Sequence, residues 1–258
     1  MLDSNDKYMH HATFWSRLEK KIQSDFICRP QALELAGDVT QRKIVDVGCG
    51  DGYVSRLLAN ADARVVGIDI SQTLIKLAQL TEFELNQGIQ YHIADATKPL
   101  THIVPAKSQN LAFSICVAPH LSYVEMTMML RNISTILKDD GQLIFAVPHP
   151  KIFRDKNQSN WITFEYETFP QGCDKFVPIK LYTGSGESFP VLANPHSTAE
   201  FQKSFEESGF TIDKLVEPLA TASDLAIFPE RWGDESKVPF YQVYKLHKIT
   251  YCVDGKRK

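Results

Sequence analysis

Residues 44–53 read IVDVGCGDGY, a short apolar run followed by three glycines at alternating positions. A strand is predicted at Lys43–Val47 and a helix at Tyr53–Asn60, so the glycines form the turn between them. Glycine permits positive φ and lets the backbone approach a ligand closely, and the start of a helix presents free N–H groups to the same turn. A tight turn alone would need one glycine. The stretch therefore predicts a nucleotide or cofactor site after the first strand of an α/β fold.

Beyond this stretch, short apolar runs alternate with amphipathic segments. Such alternation requires right-handed crossovers and a largely parallel sheet. We expect an α/β, doubly wound, Rossmann-like fold with a mostly parallel seven-stranded sheet and helices on both faces. Strands are predicted at residues 43–47, 64–68, 89–93, 111–117, 142–147, 210–216 and 240–247, and helices at 53–60, 71–85, 123–137 and 197–208.

Two segments fall outside the alternation. From Tyr8 to Leu35 apolar residues recur every four positions, which predicts an N-terminal helical cap within residues 1–40. Residues 149–196, after the fifth strand, are irregular and rich in aromatics, which favours a lid or acceptor-binding insertion. The alternative is a small antiparallel sheet with its own minor core. With a cofactor-binding core at 41–148 and a C-terminal helix and strands at 197–248, we expect one domain over residues 1–258.

The composition excludes several classes of protein. The 258 residues are 43% hydrophobic and 23% charged, as in ordinary globular proteins. Lys and Arg total 28 against 31 Asp and Glu, a net charge of −3, so nothing drives the chain toward nucleic acid. Five scattered cysteines without metal-site spacing predict reduced thiols, no metal and a cytoplasmic location. No apolar run is long enough for a membrane span.

Acidic residues near the glycines limit which ligands the site can bind. Two readings compete, a dinucleotide pyrophosphate or a cofactor without phosphates. Asp46 lies two residues before the first glycine, where it would repel a pyrophosphate but suit an ammonium or sulfonium group. Asp69 ends the second strand and suits ribose hydroxyls in either reading. Asp95, after the third strand, can accept the exocyclic amine of adenine, which favours the second reading.

Four motifs in order resemble the class I S-adenosylmethionine-dependent methyltransferases of the small-molecule type. They are VDVGCGDGYVSRLLA, GIDIS, ADATKPL and LRNISTILKDDGQLIFAVPHP. The resemblance covers Ile44–Val147, with a weaker match at Thr198–Pro218. Two departures are Gln109-Asn110, where many relatives have Phe-Asp, and the turn ending at Gly141, where we expect positive φ.

The resemblance implies S-adenosyl-L-methionine as the cofactor and assigns roles to ten residues. The backbone of Gly48, Cys49 and Gly50 would lie along the methionine part. Asp46 would organise the loop or meet the amino group through water, and Asp69 would bind the ribose. Ile70 would flank the adenine, and Asp95 with the N–H of Ala96 would hold it. Cys116 and Val117 would supply backbone near the amine or the methyl.

Methyl transfer from a sulfonium mainly requires alignment, with a base where the acceptor must lose a proton. His120 and His149 follow the fourth and fifth strands at the ligand-binding edge of the sheet and are the candidate catalytic bases. Either ring could instead bond a neighbouring carbonyl. Tyr8, His10 and His11 are weaker candidates for lining the site.

We therefore expect methyl transfer to a nitrogen or oxygen of a small-molecule acceptor by a monomer or homodimer. Acids of the insertion, Glu165, Glu167 and Asp174, combined with its aromatics slightly favour a cationic amine. A nucleic-acid or protein methyltransferase is one alternative, although Val117-Ala118-Pro119-His120 replaces the turn that clamps a flipped base. The other is a non-catalytic cofactor-binding partner subunit.

Overall fold

The main sheet has seven strands, five of them parallel neighbours. A computed structural model describes residues 18–156, 159–169 and 174–249. The strands of the main sheet are β1 (Lys43–Val47), β2 (Arg64–Asp69), β3 (Gln90–Ile93), β4 (Gln109–Ile115), β5 (Leu137–Pro148), β9 (Phe210–Val216) and β10 (Tyr241–Lys248), and those of a second sheet are β6 (Ile162–Phe164), β7 (Val177–Tyr182) and β8 (Ser188–Ala193).

The order of strands in the main sheet is β3-β2-β1-β4-β5-β10-β9. Strands β1 to β5 pair in parallel, whereas β10 is antiparallel to both β5 and β9. This topology confirms the predicted fold class. The carboxyl ends of β1 to β5 consequently meet at one edge, which we call the ligand edge, where open α/β sheets bind their ligands.

Helices cover both faces of this sheet. Apolar residues of α2 (Cys28–Ala36), α3 (Tyr53–Asn60) and α4 (Gln72–Leu85) pack on one face, and those of α5 (Tyr123–Ile136) and α7 (Thr198–Glu207) on the other. Ser71, Ser122 and Ser197 cap α4, α5 and α7, because each hydroxyl accepts a backbone N–H of the first turn. The helices are α1 (Gln23–Phe26), α2 (Cys28–Ala36), α3 (Tyr53–Asn60), α4 (Gln72–Leu85), α5 (Tyr123–Ile136), α6 (Pro150–Asp155), α7 (Thr198–Glu207) and α8 (Ala222–Leu225), with 3-10 turns at Ala118–His120 and Pro229–Arg231.

The insertion after β5 is more regular than predicted. It contains α6 and the antiparallel sheet β6-β7-β8, which corresponds to the alternative noted for this segment. Most of its buried apolar residues join the main core, since Trp161, Ile162 and Ile179 are in the same cluster as Phe26 and Ile44, whereas Phe189 forms a small separate cluster with Ile22. The insertion is therefore part of the main hydrophobic core.

Three separate segments of the chain are joined to one another by hydrogen bonds and ion pairs. Ile22 forms a β-bridge with Thr183, and the side chain of Lys21 lies 3.1 Å from Glu187, which ties the N-terminal segment to the insertion. The N–H of Asn160 donates to the carbonyl of Arg231 (3.0 Å), which ties the insertion to the C-terminal loop. We call this assembly of residues 18–36, 159–169, 174–196 and 220–238 the roof.

One local prediction is wrong. Gly141 does not adopt positive φ, because residues 138–141 belong to an irregular section of β5 instead of a turn. Glycine is still required there, since a Cβ would lie 2.9 Å from the carbonyl oxygen of Lys138.

Some predicted features lie outside the described residues, namely Tyr8, His10, His11, Cys173 and Cys252. In the described ranges, Cys28, Cys49 and Cys116 are thiols. No described helix is both long and apolar enough to cross a bilayer. No group of three or more His, Cys, Asp or Glu residues in the described part of the chain could hold a metal ion.

Candidate active site

The glycine loop between β1 and α3 packs directly against the turn after β4. Gly48, Gly50 and Gly52 have φ values of 75°, 57° and 81°, a region that strongly favours glycine. A Cβ on Gly48 would lie 2.2 Å from Cγ2 of Val117. The N–H groups of Gly48 and Cys49 both donate to the carbonyl of Ile68, at 2.7 and 3.1 Å. The loop is thus fixed between β2 and β4.

Asp69, at the end of β2, holds the glycine loop from the other side. Its Oδ2 accepts the N–H of Gly50 and its Oδ1 accepts the N–H of Ser71, both at 2.8 Å. Burial raises the pKa of the carboxyl, although these backbone N–H groups favour its charged form. Each carboxylate oxygen can accept a further donor, so ribose hydroxyls can be bound here as well.

Asp46 lies in the interior beneath the loop. Its side chain is 2% exposed, and the hydroxyl of Ser55 in α3 donates to Oδ2 at 2.6 Å. Burial raises the pKa of Asp46 to about 6, while Ser55 and Arg29 favour the charged form. The side chain connects β1 to α3, as expected for a residue that organises the loop.

The adenine side of the predicted site follows β3. Oδ1 of Asp95 accepts both the N–H (2.9 Å) and the hydroxyl (2.7 Å) of Thr97. The carbonyl of Ala96 accepts the side-chain amide of Asn132 at 2.9 Å, which fixes the loop to α5. Ile70 is half-buried next to Asp69. The structure thus brings the predicted residues of β1, β2 and β3 to the ligand edge.

The turn after β4 completes the edge. Cys116 has φ of 58°, unusual for a residue with a side chain, and its N–H donates to the carbonyl of Ala146 at 2.7 Å. The chain then enters the 3-10 turn that ends at His120, which is exposed. Val117, packed on Gly48, links this turn to the glycine loop.

His149 is placed differently from His120. It is 5% exposed and caps α6, since its Nδ1 accepts the N–H of Lys151 at 3.1 Å. Its Nε2 lies 3.0 Å from Oε1 of Glu217, beyond β9. Burial lowers its pKa, and Glu217 acts in the opposite direction. Both ring nitrogens are engaged, which favours a structural role for this residue.

The acids of the insertion also have local partners. Glu165 lies 3.0 Å from the ammonium of Lys180. Oδ1 of Asp174 accepts the N–H of Tyr123 and the side-chain amide of Asn194, at 2.7 and 3.0 Å. Glu167 is exposed. Of the three, two carboxylates are committed to contacts within the fold.

Sequence reasoning missed Arg29 in α2. It is 8% exposed, and its Nη1 donates to Asp25 at 2.8 Å and to the hydroxyl of Ser24. Burial opposes its charge, but the surrounding groups, Asp25 foremost, raise its pKa. Its buried Nε has no hydrogen-bond partner among the described residues. An arginine four residues after an aspartate in an otherwise apolar segment was the available signal.

These features fit an amino-acid-bearing adenosine cofactor. The glycines after β1 let the backbone of the loop approach a ligand closely, and acids at the ends of β2 and β3 suit ribose and adenine. The unpartnered Nε of Arg29 suits a carboxylate. A doubly wound sheet with this site defines the Rossmann-like class of nucleoside-cofactor proteins.

Comparison with known proteins specifies the class further. Residues 45–145 match the family described as "Methyltransferase domain". The match covers less than half of the chain; together with the seven-stranded sheet, it supports a methyltransferase domain of the class I S-adenosylmethionine-dependent type, with S-adenosylmethionine as the cofactor.

Curated relatives share modest identity. A ubiquinone biosynthesis O-methyltransferase of Bordetella avium is 26% identical over 154 residues, which is 57% of this chain and 62% of that protein. The protein with the same name from Coxiella burnetii is 28% identical over 105 residues, 41% of this chain and 43% of that protein. The chain therefore spans less than two thirds of the length of these relatives.

Solved structures share the fold. An S-adenosylmethionine-dependent methyltransferase from Mesorhizobium loti has a TM-score of 0.63 at 19% identity, covering 85% of this chain and 96% of that one. The CcbJ methyltransferase from Streptomyces caelestis has a TM-score of 0.63 at 17% identity, covering 95% and 97%. A complex that contains the Haloferax volcanii Trm112 methyltransferase activator gives 0.66 at 14% identity, covering 97% and 99%.

Proposed function

We propose that this chain transfers a methyl group from S-adenosylmethionine to an oxygen of a small organic acceptor. The observation that carries the proposal is the convergence at one edge of the sheet of the glycine loop, the acids after β2 and β3 and the turn with His120. The roof lies against the same edge through Asn194, whose N–H donates to the carbonyl of Pro119 at 2.7 Å. A roofed edge favours a small acceptor over a polymer.

In this proposal four charged residues hold the cofactor. Asp69 binds the ribose, Asp95 the adenine and Arg29 the carboxylate, while Asp46 balances the positive end of the methionine part. When bound, the cofactor supplies a methyl group on a sulfonium. The side chain of Val117 packs on Gly48 and would limit the directions from which an acceptor can approach the methyl group.

His120 is the residue we assign to proton removal. Its side chain is exposed on the turn after β4, and an imidazole can accept a proton from an acceptor hydroxyl. His149 is instead assigned to fixing the start of α6. If His120 is the base, the acceptor is a hydroxyl acidic enough to ionise near neutral pH, such as a phenol.

Oxygen is favoured over nitrogen by two observations. The carboxylates of Glu165 and Asp174 are occupied by Lys180 and by N–H donors, so they are poorly placed to attract a cationic amine. The curated relatives are named as O-methyltransferases. The small-molecule partner, the monomeric or dimeric state and the cytoplasmic location remain predictions. The Haloferax neighbour's activator raises the alternative that this chain also needs a partner protein.

A panel of acceptors tests the proposal. The purified protein is incubated with methyl-labelled cofactor and, separately, phenols, carboxylic acids, amines and RNA. We expect label in a phenolic or other hydroxyl product, and its loss in the His120→Gln variant. Label in RNA or protein would refute the small-molecule assignment. Cofactor binding without any methyl transfer would favour the alternative that this chain is a non-catalytic cofactor-binding subunit.

A further inference from the structure

The last residues of the insertion hold the turn after β4 from outside. The N–H of Asn194 donates to the carbonyl of Pro119 at 2.7 Å, and its side-chain amide donates to the carbonyl of Leu121 at 3.0 Å. Nε2 of His196 lies 2.9 Å from the same Leu121 carbonyl. A segment of three residues therefore controls the backbone of the turn that carries His120.

The protonation of His196 follows from these contacts. A carbonyl only accepts hydrogen bonds, so Nε2 must carry a proton, and in a neutral ring Nδ1 then presents a lone pair. The ring is 2% exposed, and Nδ1 has no hydrogen-bond partner among the described residues. Burial lowers the pKa of His196, although the carbonyls of Leu121 and Ala118 favour protonation. The ring is accordingly neutral, with one fixed tautomer.

Stability alone does not account for a histidine at this position. The Leu121 carbonyl already accepts the amide of Asn194, so His196 is not needed to satisfy it. Leaving Nδ1 buried without a partner costs free energy that an apolar side chain would avoid. The ring also packs edge-on against Phe201, with centroids 5.6 Å apart, a contact that leucine can largely replace.

The turn held by His196 is the one that faces the cofactor loop. Val117 at its start touches Gly48, and His120 lies at its end. A shift of about 1 Å in such an element can lower a rate by about 10²-fold without changing any reacting group.

We propose that His196 is a positioning residue for methyl transfer, which sets the turn after β4 so that His120 and Val117 lie correctly against the bound cofactor. This role rests on the proposed function. It distinguishes the position of His196, on the roof side of the turn, from that of His120, which is assigned to contact the acceptor.

The test compares His196→Leu, which removes the donor, with His196→Gln, whose Nε2 can still donate to Leu121. His247→Leu is the matched control, because His247 bonds Asp213 at the opposite edge of the sheet. We expect kcat to fall about 10- to 100-fold in the leucine variant and to recover largely in the glutamine variant. The affinity for S-adenosylhomocysteine should stay within threefold and the thermal midpoint should not fall in either. In ¹⁵N-histidine spectra of the wild type, the ring signals that disappear in His196→Leu should show an unprotonated Nδ1.

Several results would overturn the proposal. Unchanged kcat in His196→Leu, or a parallel loss of kcat and thermal stability without rescue by glutamine, would leave His196 with a structural role or none. A wild type that binds S-adenosylhomocysteine but methylates no acceptor would refute the proposed function, and the positioning role with it.

Discussion

Replacing Asp46 with asparagine should stabilise the cofactor-free protein at neutral pH. Burial raises the pKa of Asp46 from 3.8 to about 6. Each pKa unit corresponds to ~1.4 kcal/mol, so keeping this carboxylate charged costs the folded chain about 3 kcal/mol. Asparagine has nearly the same shape, and its carbonyl oxygen can still accept the hydroxyl of Ser55. The variant should therefore unfold at higher urea concentration than the wild type.

The pH dependence of the free energy of unfolding gives the sign of the Asp46 contribution independently. A carboxyl whose pKa is raised by folding binds its proton more tightly in the folded state. Its contribution to stability is fully present below the unfolded value of 3.8 and is lost as pH rises through about 6. Urea unfolding between pH 5 and 8 should show a larger loss in the wild type than in Asp46→Asn, where the raised pKa of Asp69 still contributes.

Asp139→Asn is the matched control, since Asp139 is exposed and its hydrogen bond with Lys107 lowers its pKa. This variant should be no more stable than the wild type. An Asp46→Asn protein that is less stable than the wild type at pH 7 to 8 would refute the reasoning.

The Asp46→Asn variant should also bind the cofactor more weakly than the wild type does. We expect at least tenfold lower affinity in calorimetry, because a negative charge is lost beside the positive end of the cofactor. Higher stability together with lower affinity would mean that the buried charge is retained for binding. Unchanged affinity would limit Asp46 to organising the loop.

Three further predictions concern the remaining site residues. His120→Gln should lose on the order of 10²- to 10⁴-fold in kcat, with cofactor affinity retained and a smaller loss at higher pH; full activity would remove the base. His149→Gln should leave kcat within a few-fold but lower the free energy of unfolding by about 0.5–2 kcal/mol through loss of the α6 cap; a selective loss of kcat would restore it as the candidate base. Arg29→Lys should weaken S-adenosylhomocysteine at least tenfold in calorimetry but not methylthioadenosine, which lacks the carboxylate; equal weakening of both would refute the assignment.

The glycine loop and the five parallel strands were predictable because their signals are local. The strand predicted at residues 43–47 and the helix predicted at 53–60 have those same bounds in the structure. Alternating periods and glycines at a strand end act over a few residues, so a single sequence contains the information.

The insertion was not predictable in the same way. Strands β6 to β8 are short and pair only with one another, and the insertion carries prolines that mask their alternation. Its place in the main core depends on contacts of Trp161 with Phe26, 135 positions earlier in the chain, whose ring centroids lie 5.6 Å apart.

The sequence predicted the candidate site in outline, and the features that it missed have a common cause. The engagement of His149 depends on Glu217, 68 residues away, and the burial of Arg29 depends on how α2 packs against β5 and β10. Such partners are brought together by tertiary structure, for which spacing along the chain carries no signal. Gly141 shows the same limit, since an irregular strand and a turn both require a small residue there.

The most direct test of the account is isothermal titration of S-adenosylmethionine into the wild type and Asp69→Ala. Asp69 is central because it fixes Gly50 at 2.8 Å and is assigned to the ribose hydroxyls. We expect the wild type to bind one cofactor per chain. The variant loses charge-assisted hydrogen bonds worth about 1.5–3 kcal/mol, so it should bind at least tenfold more weakly. No binding to the wild type, or equal affinity in both proteins, would contradict the central claim that this chain holds the cofactor at the glycine loop.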